Sequence, residues 1–155
     1  MPICPPDLSS RPFHLTVERR MNALPNELFL AWTKEFDRWF AAPGSLLMQG
    51  EVDTVFFFET VYQSEENTEV QRHPHYGRFL RVELDRLVEL TWVTGAKGTK
   101  GAETVVTVEL EPHGTGTLLI LTHSGFPDEE SRDAHEHAWA FVLEHLDRTL
   151  SGTNE

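Results

Sequence analysis

Apolar and polar residues alternate along the middle of the chain, and this alternation predicts a series of β-strands. Leu80, Val82 and Leu84, for example, are separated by charged residues. A period of two residues is typical of a strand with one buried and one solvated face. Besides a first strand that starts at Phe13, the predicted strands are Leu46–Gly50, Thr54–Tyr62, Tyr76–Leu84, Leu87–Val93, Glu103–Glu111 and Thr117–His123. Turn-forming residues separate them, as at Glu65-Glu66-Asn67, so we expect an antiparallel meander.

Helical spacing occurs only towards the two ends of the chain. Pro25 is favourable in a first helical turn, and the apolar residues up to Trp32 predict a short helix. A second short helix carries Phe36, Trp39 and Phe40. A long helix is predicted from Asp128, which can cap free backbone N–H groups, to about Leu150. Its apolar stripe recurs at steps of three and four residues: His135, Trp139, Val142, Leu143, Leu146 and Leu150. At ~1.5 Å per residue, such a helix of roughly 22 residues crosses a small domain.

The order of these elements predicts an α+β fold. The helices are segregated from the strands instead of alternating with them, and 155 residues is the size of one domain. We expect a flexible N-terminal tail at 1–12, a domain at 13–150 and a C-terminal tail at 151–155. In the domain, a curved antiparallel sheet of about six to seven strands packs its concave face against the long helix. Space left between them would suit a small apolar ligand.

The charge balance argues against nucleic acid as a partner. The chain has 13 basic and 25 acidic residues, and its net charge of −12 repels phosphate. Apolar runs such as Val55–Phe58 fall far short of the ~20 residues that span a bilayer, so we expect no membrane insertion. The first residues lack the pattern of a signal peptide, and we expect a cytoplasmic protein. Cys4 is the only cysteine, which excludes an internal disulfide.

The chain has eight histidines, but their spacing does not predict a metal site. His135 and His137 lie two apart on a helix and therefore point in different directions. His73 and His75 could share a strand face, but they have no clear third ligand. Zinc sites need three or four convergent ligands. We therefore expect neither a metal ion nor another cofactor.

Short motifs follow one another in a fixed order from about Phe13 to Leu150. They are Ala23-x-Pro25, Phe29-x-x-Trp32, Trp39-Phe40-x-x-Pro43, His75-Tyr76-Gly77-x-Phe79, Leu87-Val88-Glu89-Leu90-Thr91-Trp92, Leu119-x-Leu121-Thr122-His123-Ser124-Gly125-Phe126 and His135-x-x-x-Trp139. Together they resemble the START-like superfamily, in its activator of heat-shock-protein-90 ATPase homologue-like branch. The resemblance implies the helix-grip fold, in which a curved sheet wraps a long C-terminal helix. Glu51 and Ala138 depart from it, because relatives often have glycine at these two places.

The candidate ligand pocket lies where the stripe of the long helix should meet the inward faces of the last strands. Its residues are Trp92, Leu119, Leu121, His123, His135, Trp139 and Val142. The large aromatic side chains either line an open cavity or fill a solid core. His123 and His135 should approach each other. They act either as buried, hydrogen-bonded imidazoles or as groups for ligand contact and proton transfer.

These residues favour a binding protein over an enzyme. No Ser-His-Asp or Cys-His set can be assembled from the spacing, which argues against nucleophilic catalysis. The leading interpretation is a protein that binds a small apolar or amphipathic molecule in the cavity. One alternative is a cyclase-type or hydrolase-type enzyme that uses His123 or His135. The other is a chaperone-related or stress-related interaction module, with a protein partner or a second copy of the chain, as the resemblance allows.

Overall fold

Six strands and two helices form the described part of the protein. The computed structural model describes residues 5–42, 44–62, 71–95 and 98–151. Its strands are β1 (Phe13–Met21), β2 (Val55–Tyr62), β3 (Gln71–Glu83), β4 (Leu87–Trp92), β5 (Thr104–His113) and β6 (Gly116–Phe126). The helices are α1 (Pro25–Thr33) and α2 (Glu129–Ser151), with a 3₁₀ turn at Phe36–Arg38.

All six strands belong to one antiparallel sheet in the order β1-β6-β5-β4-β3-β2. The strands β2 to β6 follow one another as a meander, and β1 pairs with β6 at the far side. The sheet is curved and open, with β1 and β2 as its edges. This arrangement confirms the predicted α+β class and is consistent with the helix-grip fold.

Two of the predicted elements have a different secondary structure from the one predicted. Leu46–Gly50 is not a strand, because Leu47 makes only an isolated bridge to Phe57. The chain turns away directly afterwards, with positive φ values at Gly50 and Asp53. The second short helix is only a 3₁₀ turn. The amides of Trp39, Phe40 and Ala41 all donate to the carbonyl of Phe36, so no helical ladder continues.

Strand β3 begins five residues before its predicted start, at Gln71 instead of Tyr76. Pro74 concealed this part of the strand, because proline cannot donate to a sheet ladder. The backbone of Tyr76 forms an isolated bridge with Val93, the residue that follows β4. Pro74, two residues earlier, faces the same side of β3, where β4 no longer runs alongside. Its lack of an N–H group therefore costs no hydrogen bond to β4. The turn predicted at Glu65-Glu66-Asn67 lies outside the described residues.

The two sheet neighbours β3 and β4 approach closely at Gly77. A Cβ at this position would lie 2.2 Å from the carbonyl oxygen of Thr91, so only glycine fits. The hydroxyl of Thr91 accepts a hydrogen bond from the Arg78 amide at 2.9 Å, in place of a regular ladder bond. The register shifts again between Phe79 and Arg81. Such irregularities bend a strand, and here they lie beside the cavity described below.

Helix α2 begins and packs as its sequence predicts. The Asp128 carboxylate accepts a hydrogen bond from the Ser131 amide at 2.8 Å, which is the expected N-terminal cap. Trp139, Leu143 and Leu146 are buried in the core. The helix lies against β1 and β6, while α1 lies against β4 and β5. No helix in the described part of the chain is long and apolar enough to span a membrane.

Both predicted tails lie partly outside the described residues. Residues 1–4 and 152–155 are not described. Of the remainder, Arg11 contacts the domain, since its guanidinium donates to the carbonyl oxygens of Gly125 and Glu103 at 2.8 Å each. The helix α2 itself continues to Ser151.

Candidate ligand-binding cavity

A cavity of about 480 Å³ opens between α2 and the part of the sheet that α2 does not cover. This volume is in the range of small-molecule sites in proteins. Six rings contribute to its wall: Phe40, His73, His75, Trp92, His135 and Trp139. Smaller side chains complete it: Thr60, Pro74, Thr94, Gly95, Gly98, Ala138 and Val142. No Asp, Glu, Lys or Arg is among these described lining residues.

The structure brings four of the seven candidate pocket residues to this cavity. Trp92, His135, Trp139 and Val142 line it. The other three, Leu119, Leu121 and His123, are fully buried in the core and are not part of the wall. The reason is the position of α2, which covers the inward face of β6. The space that remains faces β2, β3 and the end of β4 instead.

Sequence reasoning missed the residues that β2 and β3 contribute. Thr60 lies directly opposite His73, and Phe58 lies directly opposite His75. The spacing of the two histidines, two residues apart, did indicate one shared strand face. The predicted strand starts only at Tyr76, however, and leaves both histidines outside it. Phe40, which the sequence places only on the second short helix, also lines the cavity.

The aromatic residues divide between the core and the cavity wall. Trp32, Phe36 and Phe58 are fully buried. Trp92 and Trp139 pack against each other, with 5.5 Å between their ring centroids, and both also line the cavity. The two interpretations left open by the sequence are therefore both realised, by different residues.

His123 is fixed by a chain of hydrogen bonds that joins α2 to the sheet. The indole N–H of Trp139 donates to His123 Nδ1 at 3.1 Å, so the imidazole proton must lie on Nε2. Nε2 lies 2.7 Å from the hydroxyl oxygen of Thr104, which accepts from it. That hydroxyl in turn donates to the carbonyl oxygen of Trp92 at 2.6 Å. Both nitrogens of His123 are thus occupied.

Burial makes His123 a structural imidazole. Desolvation, with a smaller effect of nearby His135, holds the pKa of His123 well below its usual value. The rings of His123 and His135 do approach each other edge to face, at 5.1 Å between centroids. Their contact ties helix to sheet. Proton transfer by His123 would require breaking the bonds that hold it.

His75 is an uncharged imidazole on the cavity wall. Its Nδ1 lies 2.9 Å from the carbonyl oxygen of His73, and its ring stacks on Phe58 at 4.9 Å. The edge of the ring faces Trp92 at 5.3 Å. Burial lowers the pKa of His75 to about 4, although the bond to the carbonyl opposes this change. The side chain is therefore neutral near pH 7.

His135 repeats this arrangement on α2. Its Nδ1 lies 2.8 Å from the carbonyl oxygen of Ser131, one turn earlier in the helix. Burial lowers the pKa of His135 below its usual value. No group of three or more His, Cys, Asp or Glu side chains in the described part of the chain is arranged to hold a metal ion.

Comparison with known families gives one match. Residues 22–151 match the family model described as activator of Hsp90 ATPase homolog 1-like protein. The matched segment spans nearly all of the described fold, from the residue after β1 to the last residue of α2. No curated protein sequence matches the chain.

Solved structures with the same fold come from several bacteria. A Chromobacterium violaceum protein is 19% identical, with a TM-score of 0.74 over 90% of this chain and 98% of its own. The AHSA1 protein from Silicibacter pomeroyi is 25% identical, with a TM-score of 0.67 over 92% of this chain and 100% of its own. The Aha1 dimer from Colwellia psychrerythraea is 16% identical, with a TM-score of 0.61 over 89% of this chain and 96% of its own.

Proposed function

The chain belongs to the activator of Hsp90 ATPase homolog 1-like family, as its motifs indicated, and we propose that it binds a small, uncharged, apolar or amphipathic molecule. The observation that carries this proposal is the cavity of about 480 Å³ with aromatic walls. The ligand would lie between α2 and the β2–β4 region of the sheet. A cytoplasmic location, which we also propose, fits a chain with Cys4 as its only cysteine.

The chemistry of the wall supports an uncharged ligand. Transfer of an ion into an apolar space is costly unless a partner of opposite charge is present. The described lining residues supply no such partner, and His75 is neutral near pH 7 because its pKa is about 4. The faces of Trp92 and Trp139 offer large apolar contact area. Contact with these two indole rings would stabilise a bound apolar ring system.

The arrangement gives less support to catalysis. The sequence-based alternative required His123 or His135 as an acid or base. His123 uses both of its nitrogens in structural hydrogen bonds. No serine or cysteine is among the described lining residues to act as a nucleophile beside His135. Binding therefore accounts for the site more simply than a reaction does.

A direct titration tests the binding proposal. N-phenyl-1-naphthylamine, a neutral fluorophore, should bind with one-to-one stoichiometry. Val142→Trp fills part of the cavity and should weaken binding at least about tenfold, which corresponds to about 1.4 kcal/mol. Phe141→Trp is the matched control, since Phe141 is the next residue on α2 and is 64% exposed. Circular dichroism checks that both variants are folded.

The titration also has a clear negative result. Failure of saturable binding across a broad panel of neutral aromatic and aliphatic probes would refute the binding proposal. Equal affinities in wild type and a folded Val142→Trp variant would show that the probe binds elsewhere. In either case the interaction-module alternative would take its place.

A second candidate function, self-association, is supported by an exposed apolar patch on the outer face of β2 and β3. Phe57 and Tyr76 lie directly opposite each other, and Leu47 bridges to Phe57. Val55 and Val61 extend the patch along β2, and all five side chains are at least 36% exposed. Exposed apolar side chains grouped on one face in this way are typical of interaction surfaces. The Aha1 structure from Colwellia psychrerythraea, which is a dimer, belongs to the same fold.

Sedimentation analysis tests this second function. Tyr76→Lys should shift a dimer towards monomer by placing a charge in the patch. Leu84→Lys is the control, because Leu84 is 79% exposed but lies beyond the end of β3. A wild-type chain that stays monomeric at high concentration would refute self-association.

A further inference from the structure

Two of the three histidines that line the cavity, His75 and His135, differ from ordinary exposed histidines because the position of their proton is fixed. A backbone carbonyl can only accept a hydrogen bond, so a ring nitrogen that pairs with one must carry hydrogen. Nδ1 of His75 pairs with the carbonyl of His73, and Nδ1 of His135 pairs with that of Ser131. In the neutral ring, the proton is therefore on Nδ1. Nε2 must then carry a lone pair and can only accept.

The two rings are packed against other rings at the cavity. The ring of His75 stacks on Phe58 and packs edge to face with Phe40 and Trp92. The ring of His135 is held against His123 and Phe126, at 5.1 and 4.9 Å between centroids. Both imidazoles line the cavity. No hydrogen bond from another described residue to either Nε2 atom is formed.

The described part of the wall thus offers acceptors but no charge to match an ion. A carboxylate or phenolate would bring a second set of lone pairs towards Nε2 and would lose its hydration without gaining a cation. A purely apolar molecule would leave two acceptors in the cavity without donors, at a cost for each. A neutral molecule with a hydroxyl or N–H group avoids both penalties. Its aromatic rings would pack against Trp92 and Trp139.

We propose that His75 and His135 determine the specificity of the cavity: their Nε2 atoms accept hydrogen bonds from the hydroxyl or N–H groups of a neutral aromatic ligand. This inference rests on the proposed binding function and narrows it to a chemical class. The histidines position the ligand by its donor group, while the indole and phenyl rings bind its apolar body. Aromatic carboxylates and plain hydrocarbons of the same size bind more weakly.

A matched pair of probes separates hydrogen bonding from apolar contact. 2-Naphthol has a hydroxyl donor, and 2-methoxynaphthalene has the same ring system without one. Both compete with N-phenyl-1-naphthylamine in a displacement titration. Wild type should prefer 2-naphthol by roughly three- to tenfold, the usual strength of one neutral hydrogen bond. One hydroxyl can donate to only one Nε2 atom at a time, so at least one of the variants His75→Phe and His135→Phe should reduce this preference, and the double variant should abolish it.

Three controls make the result specific. His137→Phe changes an α2 histidine that does not line the cavity, and it should leave both affinities unchanged. His75→Gln keeps an acceptor and should restore part of the preference that His75→Phe loses. The affinity for 2-methoxynaphthalene should change less than about twofold in every folded variant. If His75→Phe does not fold, the His75→Gln and His135→Phe variants carry the test.

Nitrogen-15 NMR of the histidine rings gives a second, independent measurement. In wild type, Nε2 of His75 and of His135 should have the chemical shift of an unprotonated imidazole nitrogen at pH 7. Adding 2-naphthol should move at least one of these signals, whereas 2-methoxynaphthalene should move neither. Equal affinity for the two probes, unaffected by the substitutions, would overturn this inference but leave the binding function standing. Failure of both probes and of the fluorophore to bind would refute the binding function itself.

Discussion

Trp139 stabilises the fold in two ways, by packing and by a hydrogen bond, and two substitutions separate their contributions to the free energy of unfolding. The side chain is 3% exposed and packs against the rings of Trp32 and Trp92. Trp139→Ala removes a large buried side chain, which typically costs about 3–5 kcal/mol. We expect about 3 kcal/mol, because one side of the indole already faces the cavity and loses no packing there.

Trp139→Phe isolates the hydrogen bond. Phenylalanine keeps most of the ring but removes the N–H that His123 Nδ1 accepts at 3.1 Å. A buried acceptor left without its donor costs about 1–3 kcal/mol. Combining this change with His123→Phe removes the orphaned acceptor. The loss in the double variant should therefore be smaller than the sum of the two single losses.

Equilibrium urea unfolding at pH 7 measures these differences. The slope m should stay constant, so that the shift in midpoint reports stability alone. A loss below about 1 kcal/mol for Trp139→Ala would mean that the inward stripe of α2 does not pack as described. A Trp139→Phe variant as stable as wild type would leave the packing in place but refute the hydrogen bond to His123.

Two further predictions concern the free energy of unfolding. Asp147 accepts hydrogen bonds from the backbone amides of Asn22 and Ala23. Asp147→Ala should therefore lower the free energy of unfolding, measured in urea, by about 2–4 kcal/mol. Asp133→Ala, at an exposed position of α2, is the control and should cost less than about 0.5 kcal/mol. The unfolded chain protonates His75 near pH 6.5, but the folded protein does so only near its pKa of about 4. Stability should therefore fall as the pH decreases from 6.5 to 4, and His75→Gln should flatten that slope by up to about 1.4 kcal/mol per pH unit. An unchanged slope would contradict the neutral state of His75.

The sequence predicted the elements well where burial alone determined the pattern. The stripe from His135 to Leu150 describes a face that contacts a core, and such a face has a fixed period. The alternation of Leu80, Val82 and Leu84 holds only in part, because Leu84 is 79% exposed beyond the end of β3. Prediction failed where a single residue broke the pattern without breaking the element. Pro74 is tolerated inside β3 because it lies beyond the end of β4, so no hydrogen bond from its nitrogen to β4 is needed.

The candidate site was predicted only in part for a different reason. Periodicity shows which side of α2 faces inward, and it correctly placed His135, Trp139 and Val142 there. It does not show which strands the helix crosses. Because α2 lies over β1 and β6, Leu119 and Leu121 are packed beneath it. The cavity lies on the side of α2 that faces β2, β3 and the end of β4. The lateral position of a helix depends on the sizes of many side chains at once.

The measurement that tests the binding site most directly is a crystal structure of the protein with 6-bromo-2-naphthol. Bromine scatters anomalously, so its position can be found without prior assumptions about where the ligand lies. We expect one strong peak between α2 and β3, with the naphthol oxygen about 3 Å from Nε2 of His75 or His135. Bromine peaks only on the outer face, beside Phe57 and Tyr76, would contradict the proposed cavity site.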